Sequence, residues 1–257
     1  MAATSTIFRK EARIFFTTPG YFMMSFLITL ILSWNFPIRL SEFSQRLSAM
    51  GFQPGLSDNM FNIHYGVFLA HLSYLNLLLI FISPALTMKL FSEEKKLRSF
   101  DLLLTSPVSS LEIVLGKYLA ALVAIGGIVL TAMIYPVTSS MFADLNWGPL
   151  FVSFAGIFAV AGVYLAINLF CSSLTENVLV AYVMSVVMNI AIWLVASGAE
   201  ITDSEIGRKV FEHISLSSHL SALVEGTIRT SSIIFLLSVI GLFLFLCERV
   251  VESARWR

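Results

Sequence analysis

Six apolar runs, each about as long as a lipid bilayer is thick, dominate the sequence. They lie at 19–37, 66–88, 117–142, 148–171, 178–197 and 231–246. At about 1.5 Å per residue, a helix needs ~20 residues to cross a hydrocarbon layer ~30 Å thick. Apolar residues make up 57% of the chain and charged residues only 12%, too few to cover a soluble domain. The sequence therefore predicts an all-α integral membrane protein with six transmembrane helices in a single domain, residues 1–257.

Lysine and arginine residues are divided unequally between the two sides of these predicted spans. Eleven lie before the first span, between the second and third spans, or after the last span. The other five lie in the remaining connections. Cytoplasmic segments of membrane proteins carry the excess of basic residues. Both termini are therefore predicted to be cytoplasmic.

The segment before the first span has helical periodicity. At about 100° per residue, Arg9, Lys10 and Arg13 fall on one arc of residues 5–18, and the opposite arc is apolar: Ile7, Phe8, Ala12, Ile14 and Phe15. Glu11 interrupts the apolar arc and weakens the pattern. We expect an amphipathic helix on the cytoplasmic membrane surface, with its basic face toward anionic headgroups of the bilayer.

Residues 89–115, between the second and third spans, are the most charged stretch of the chain. The charged residues are followed by a leucine run at 102–104 and by Pro107, before which a helix should stop. Ser109 and Glu112 have the spacing of a capping box that starts a new helix. The pattern predicts a short helix, a break, and then the third span.

The two long outer connections differ in composition. Residues 199–230 are too polar to span the membrane and contain apolar positions such as Val210, Phe211, Ile214 and Leu220. They predict short interfacial or re-entrant helices before the last span. Residues 38–65 contain Gly51, Pro54 and Gly55 and are predicted to be partly helical.

Several kinds of chemistry are missing from the sequence. Gly116 and Lys117 lack the upstream glycine and the following Ser or Thr of a phosphate-binding loop, and no metalloprotease or serine-hydrolase motif occurs. The two cysteines form no CxxC pair or Cys/His cluster, so no metal site is expected. We expect no enzymatic activity in this chain.

Polar residues inside the predicted spans are few. No Asp, Glu, Lys or Arg lies in the span centres, which argues against a carrier driven by its own ion gradient. Asn76, Asn168 and Asn189 are the notable exceptions. They either make interhelical hydrogen bonds or line a substrate path, and the first alternative is the commoner one.

One long segment resembles a known family. Residues 91–118, FSEEKKLRSFDLLLTSPVSSLEIVLGKY, are similar to the stretch that precedes and begins the third span in ABC-2-type permeases. The C-terminal stretches LSSHL at 216–220, EGTI at 225–228 and ESARWR at 252–257 look like the gliding-motility permease (GldF-like) branch. The resemblance covers essentially the whole chain.

The resemblance implies a permease subunit of an ATP-driven ABC transporter of the exporter or extruder type, in a bacterial inner (cytoplasmic) membrane. It implies two cytoplasmic ATPase subunits that carry the ATP and magnesium, so this chain needs no cofactor. It also implies a second permease, either identical or a related subunit with a periplasmic domain. No nucleic-acid partner is expected.

The same resemblance assigns the charged loop to coupling with the ATPase, through a set of seven residues: Glu93, Glu94, Lys95, Lys96, Arg98, Leu102 and Leu103. The chain departs from the family at Leu97 to Ser99, where many relatives carry a glycine and a threonine. The scarcity of polar pathway residues leaves an alternative function: a non-transporting subunit that transmits force or anchors an envelope or gliding complex.

Overall fold

The computed structural model describes residues 2–50, 62–100, 108–201 and 204–255, and over these ranges the chain is helical with no strand. Eleven α-helices are seen within the described residues. They are α1 Ala2–Thr17, α2 Pro19–Met50, α3 Leu69–Thr87, α4 Lys89–Lys96, α5 Ser110–Thr131, α6 Ile134–Ser139, α7 Trp147–Leu174, α8 Val178–Ile201, α9 Glu205–Ile214, α10 Leu216–Val224 and α11 Thr230–Ala254.

Six of the helical stretches are long and apolar enough to cross a membrane, which confirms the predicted number of spans. The first span does not end at Pro37 as predicted, because α2 continues through this proline to Met50. A proline removes one backbone hydrogen bond, and a helix can continue past it where the surroundings accommodate the freed carbonyl. The prediction of a partly helical outer connection is confirmed for residues 38–50, and residues 51–61 lie outside the described part.

The third span begins earlier than predicted. The side chain of Ser109 accepts from the backbone N–H of Glu112, whose carboxylate accepts from the backbone N–H of Ser109, so the predicted capping box is confirmed. Because this cap starts α5 at Ser110, Lys117 lies two turns inside the helix rather than at its start. The helix breaks after Thr131 and resumes as α6.

Helix α7 forms the centre of the bundle and is surrounded by α3, α5, α8, α10 and α11. Small residues allow close approach: the hydroxyl of Tyr118 on α5 donates to the carbonyl of Gly162 on α7 at 3.1 Å. Tyr164 is fully buried. The residues that pack around α7 therefore form a core shared by the second to sixth spans, and α2 packs against α3 and α5 at its edge.

The connection before the last span contains two short helices, as predicted. Ser204 and Ser215 cap α9 and α10. Helix α10 lies against the first turns of α7, where Ser153 donates to the carbonyl of Val224 at 2.7 Å and a Cβ atom on Gly156 would lie 2.6 Å from Leu223. The ring of His64 also contacts the Val224 carbonyl, at 3.0 Å.

The N-terminal and C-terminal helices meet the same end of the bundle. Lys10 on α1 pairs with Glu94 on α4 at 3.3 Å, and Glu252 near the end of α11 accepts a hydrogen bond from Ser110 at the start of α5. Helix α1 and the last turns of α11 therefore lie at the same end of the helical bundle, which agrees with the prediction that both termini are on one side of the membrane. That this side is cytoplasmic stays a prediction.

Candidate functional site

The charged helix α4 is attached to the bundle rather than suspended in a loop. It continues almost directly from α3, and its backbone N–H groups at Phe91 and Ser92 donate to the hydroxyl of Ser172, at 3.2 and 3.3 Å. The ammonium of Lys95 donates to the carbonyl of Ser173. These contacts fix α4 to the last turn of α7.

A cluster of four charges joins α4 to two other helices. The Lys117 ammonium lies 3.0 Å from an oxygen of Glu11 on α1 and 2.9 Å from an oxygen of Glu94 on α4. It also donates to the carbonyl of Leu90 at 2.7 Å, so all three of its protons have an acceptor. The Lys10 ammonium lies 3.3 Å from the same two carboxylates. We call Lys10, Glu11, Glu94 and Lys117 the four-charge cluster.

The formal charges of the four-charge cluster cancel, and its members range from fully buried to half-exposed. The Lys117 side chain is 1% exposed, whereas that of Lys10 is 54% exposed. Burial works to lower the pKa of Lys10, but the carboxylates of Glu11 and Glu94 outweigh it and raise that pKa. Lys10 therefore stays charged at neutral pH. An ammonium as deeply buried as Lys117 is tolerated only where paired carboxylates replace its hydration shell.

Sequence reasoning missed two members of this cluster. From sequence alone, Glu11 only weakens the amphipathic pattern of α1, and Lys117 only adds a basic residue at the start of the predicted third span. The signal was present: an acid on the apolar face of one helix and a lysine on an apolar span are each costly alone, and pairing offsets part of both costs. Arg9 and Arg13 lie on the exposed face of α1, two residues to either side of buried Glu11.

The remaining predicted coupling residues lie in different environments. Glu93 is half-buried beside a cavity of about 490 Å³ between α1, α2 and α4, while Lys96 and Arg98 are exposed. Leu97 between them is 69% exposed. Leu102 and Leu103 lie outside the described residues.

The turn after α4 has an unusual backbone at Arg98. Its φ is 55°, in the left-handed region, and it follows the helix end marked by the hydrogen bond from the N–H of Leu97 to the carbonyl of Glu93. A residue just past a helix end commonly adopts this conformation, and glycine does so without steric cost.

The asparagines at 76, 168 and 189 all make interhelical hydrogen bonds, whereas the Oδ1 of Asn35 on α2 is buried and has no partner among the described residues. Asn168 donates to the hydroxyl of Ser83 at 2.9 Å, and Asn189 donates to the carbonyl of Ile80 at 3.2 Å. Asn76 accepts from the hydroxyl of Tyr164 at 3.3 Å. Hydrogen bonds of this type hold α3, α7 and α8 together within the membrane.

Comparison with known proteins gave one finding at the level of a family. A family model described as "ABC-2 family transporter protein" matches residues 5–249. No curated protein matches the chain. The match covers all four members of the four-charge cluster, and it does not distinguish the gliding-motility branch.

Proposed function

The chain belongs to the ABC-2 transporter family and is a multi-pass membrane permease, and we propose that it couples a separate cytoplasmic ATPase to export across the bacterial inner membrane. The observation that carries this proposal is the four-charge cluster. It ties a surface helix, α4, to both α1 and the third span. The ATPase subunits hold the ATP and magnesium, and a second permease, identical or related, completes the path.

The cluster suits the transmission of force. Glu94 is the only described residue of α4 that contacts both lysines of the cluster. A push on α4 is therefore applied to α1 through Lys10 and Glu11, and to α5 through Lys117. Ion pairs near 3 Å around the buried Lys117 ammonium resist separation, so the three helices should move as one unit.

The exposed end of α4 is the surface we assign to the ATPase. Lys96, Leu97 and Arg98 project from the bundle at the same end as the four-charge cluster, and Leu97 is an exposed apolar residue between two cations. An apolar side chain rimmed by charges is a common arrangement at protein interfaces. Arg9 and Arg13 on α1 face outward and are assigned to anionic lipid headgroups at this end.

The test is affinity purification of the full chain in mild detergent, with identification of the proteins that co-purify. The double variant Lys96→Glu/Leu97→Asp should lose the ATPase, because it alters the docking surface without touching the four-charge cluster. The matched control is Lys209→Glu/Val210→Asp, which likewise reverses a lysine charge and replaces a neighbouring exposed apolar residue by aspartate, but on α9. Equal ATPase recovery from the two variants would contradict the docking assignment.

A mechanical function without a transported substrate is the second candidate. It is favoured by the asparagines, whose hydrogen bonds are made to neighbouring helices. The reconstituted complex separates the two functions: a saturable ligand that stimulates ATP hydrolysis supports export. The family match lends no support to a gliding role.

A further inference from the structure

A second cavity lies at the end of the bundle opposite the four-charge cluster. It has a volume of about 500 Å³ and is bordered by α2, α3, α8 and α10. One part of its wall is apolar, with Leu69, Leu77 and Leu220, and another carries Arg39 and Glu225. We call it the outer cavity. Its two kinds of wall match a ligand with a polar head and an apolar chain.

The position of Arg39 along α2 places the polar wall at the membrane surface. Arg39 follows Pro19, the first residue of α2, by a rise of roughly 30 Å, which equals one hydrocarbon thickness. Its guanidinium therefore lies at headgroup level in the outer leaflet. Trp193, which also lines the cavity, is a residue type enriched at that level. Leu77 lies two turns further along α3 than Leu69, so the apolar wall extends along the bundle.

The guanidinium of Arg39 has hydrogen-bonding capacity that the described part of the chain does not use. Its Nη1 donates to Glu42 at 3.0 Å, but its Nε is buried and has no acceptor among the described residues. A buried donor without an acceptor is costly. The Arg39 side chain lines the cavity and is 34% exposed, so a phosphate oxygen there can accept from the guanidinium, whose planar fork suits phosphate oxygens.

The local charge selects among phosphate-bearing lipids. Glu42 already compensates Arg39, and Glu225 adds a further negative charge on another part of the wall. A headgroup with net negative charge would be repelled, whereas a headgroup that pairs its phosphate with an ammonium would be matched. We propose that the outer cavity binds a zwitterionic phospholipid of the outer leaflet. Its phosphate lies on Arg39, its ammonium faces Glu225, and an acyl chain lies along Leu69 and Leu77.

This proposal goes beyond coupling and is tested without nucleotide, so its failure leaves the ATPase assignment untouched. The full chain in mild detergent is titrated with dioleoylphosphatidylethanolamine, and binding is measured by native mass spectrometry. Dioleoylglycerol, which has the same chains and no phosphate, should bind far more weakly. Dioleoylphosphatidylglycerol, which has the phosphate without the ammonium, should also bind more weakly than dioleoylphosphatidylethanolamine. The Glu225→Gln variant should bind these two phospholipids equally well.

The matched pair of variants is Arg39→Gln and Arg46→Gln, because Arg46 is an exposed residue two turns further along the same helix. Loss of one charge-assisted hydrogen bond should weaken phosphatidylethanolamine binding by about tenfold or more in Arg39→Gln. Binding to Arg46→Gln should equal that of the wild type.

Three results would overturn the proposal: wild-type affinity in Arg39→Gln, an equal loss in Arg46→Gln, or equal binding of dioleoylglycerol. Displacement of the lipid by millimolar inorganic phosphate would assign the cavity to a free anion instead. If the Arg39→Gln variant does not fold, the same lipid-binding measurement on the Leu77→Trp variant tests the proposal. This substitution fills the apolar wall and leaves Arg39 intact, and unchanged lipid binding in that variant would reject the acyl-chain placement.

Discussion

Replacing Lys117 by methionine should destabilise the protein far more than the same replacement of Lys10. Both lysines contact the same two carboxylates, but Lys117 does so from a fully buried position and at shorter distances. Methionine keeps an unbranched side chain, one atom shorter than that of lysine, and removes its charge. The variant leaves Glu11 and Glu94 close together with only the half-exposed Lys10 to compensate them.

The distances and burial set the expected magnitude. With an effective dielectric constant of about 20, each Lys117 contact near 3 Å corresponds to roughly 5 kcal/mol of Coulomb attraction, which desolvation of the charges partly offsets. Removing one partner of such a buried pair costs about 3–5 kcal/mol. For Lys10 the exposed position and water screening reduce the expected cost to below about 1 kcal/mol.

The assay is equilibrium unfolding of the purified full chain in mixed micelles, followed by circular dichroism. We also expect the double variant Glu11→Gln/Lys117→Met to be more stable than the sum of its single changes predicts, by about 1–3 kcal/mol, because the two residues are in direct contact. Equal stability of the Lys117→Met and Lys10→Met variants would refute the reasoning. So would strict additivity in the double variant.

Two further predictions concern backbone geometry. Gly156→Ala should destabilise the contact between α7 and α10 by about 1–3 kcal/mol, because the new methyl group would lie 2.6 Å from Leu223. In the control Gly241→Ala the methyl group has nothing within 4 Å, so this variant should be neutral or slightly stabilised. Equilibrium unfolding of the two variants is the measurement, and equal effects would contradict the prediction. Arg98→Gly should stabilise the end of α4 by about 1 kcal/mol, because glycine adopts a φ of 55° without steric cost. The measurement is amide hydrogen exchange at residues 93–97, which should become slower. Faster exchange there would contradict the prediction.

The membrane-spanning architecture could be predicted from the sequence because the bilayer imposes a simple rule. A helix that satisfies its own backbone hydrogen bonds needs about 20 apolar residues to cross, so length and composition suffice. The start of α5 could also be predicted, because the capping box of Ser109 depends only on residues that are close together in the sequence. The predicted end of the first span at Pro37 was wrong, because proline ends helices more often in water-soluble proteins than in membrane-spanning helices such as α2.

The sequence predicted only part of the candidate site. Glu94 was singled out with its charged neighbours on α4, but Lys117 and Glu11 were separated from it by 23 and 83 positions and carried no shared pattern. Nothing local reveals which of several exposed-looking charges becomes buried. The outer cavity was missed for the same reason, because its walls come from four different helices.

The sequence by itself determined that this chain crosses a membrane six times, that basic residues concentrate on one side, and that a charged helix separates two spans. These properties depend on runs of neighbouring residues and on their solvent. Only the tertiary structure decided that Lys117 is enclosed by carboxylates from α1 and α4 and that Arg39 borders a cavity. Ion pairing and cavity formation depend on which distant segments meet, and that is set by the packing of the bundle around α7.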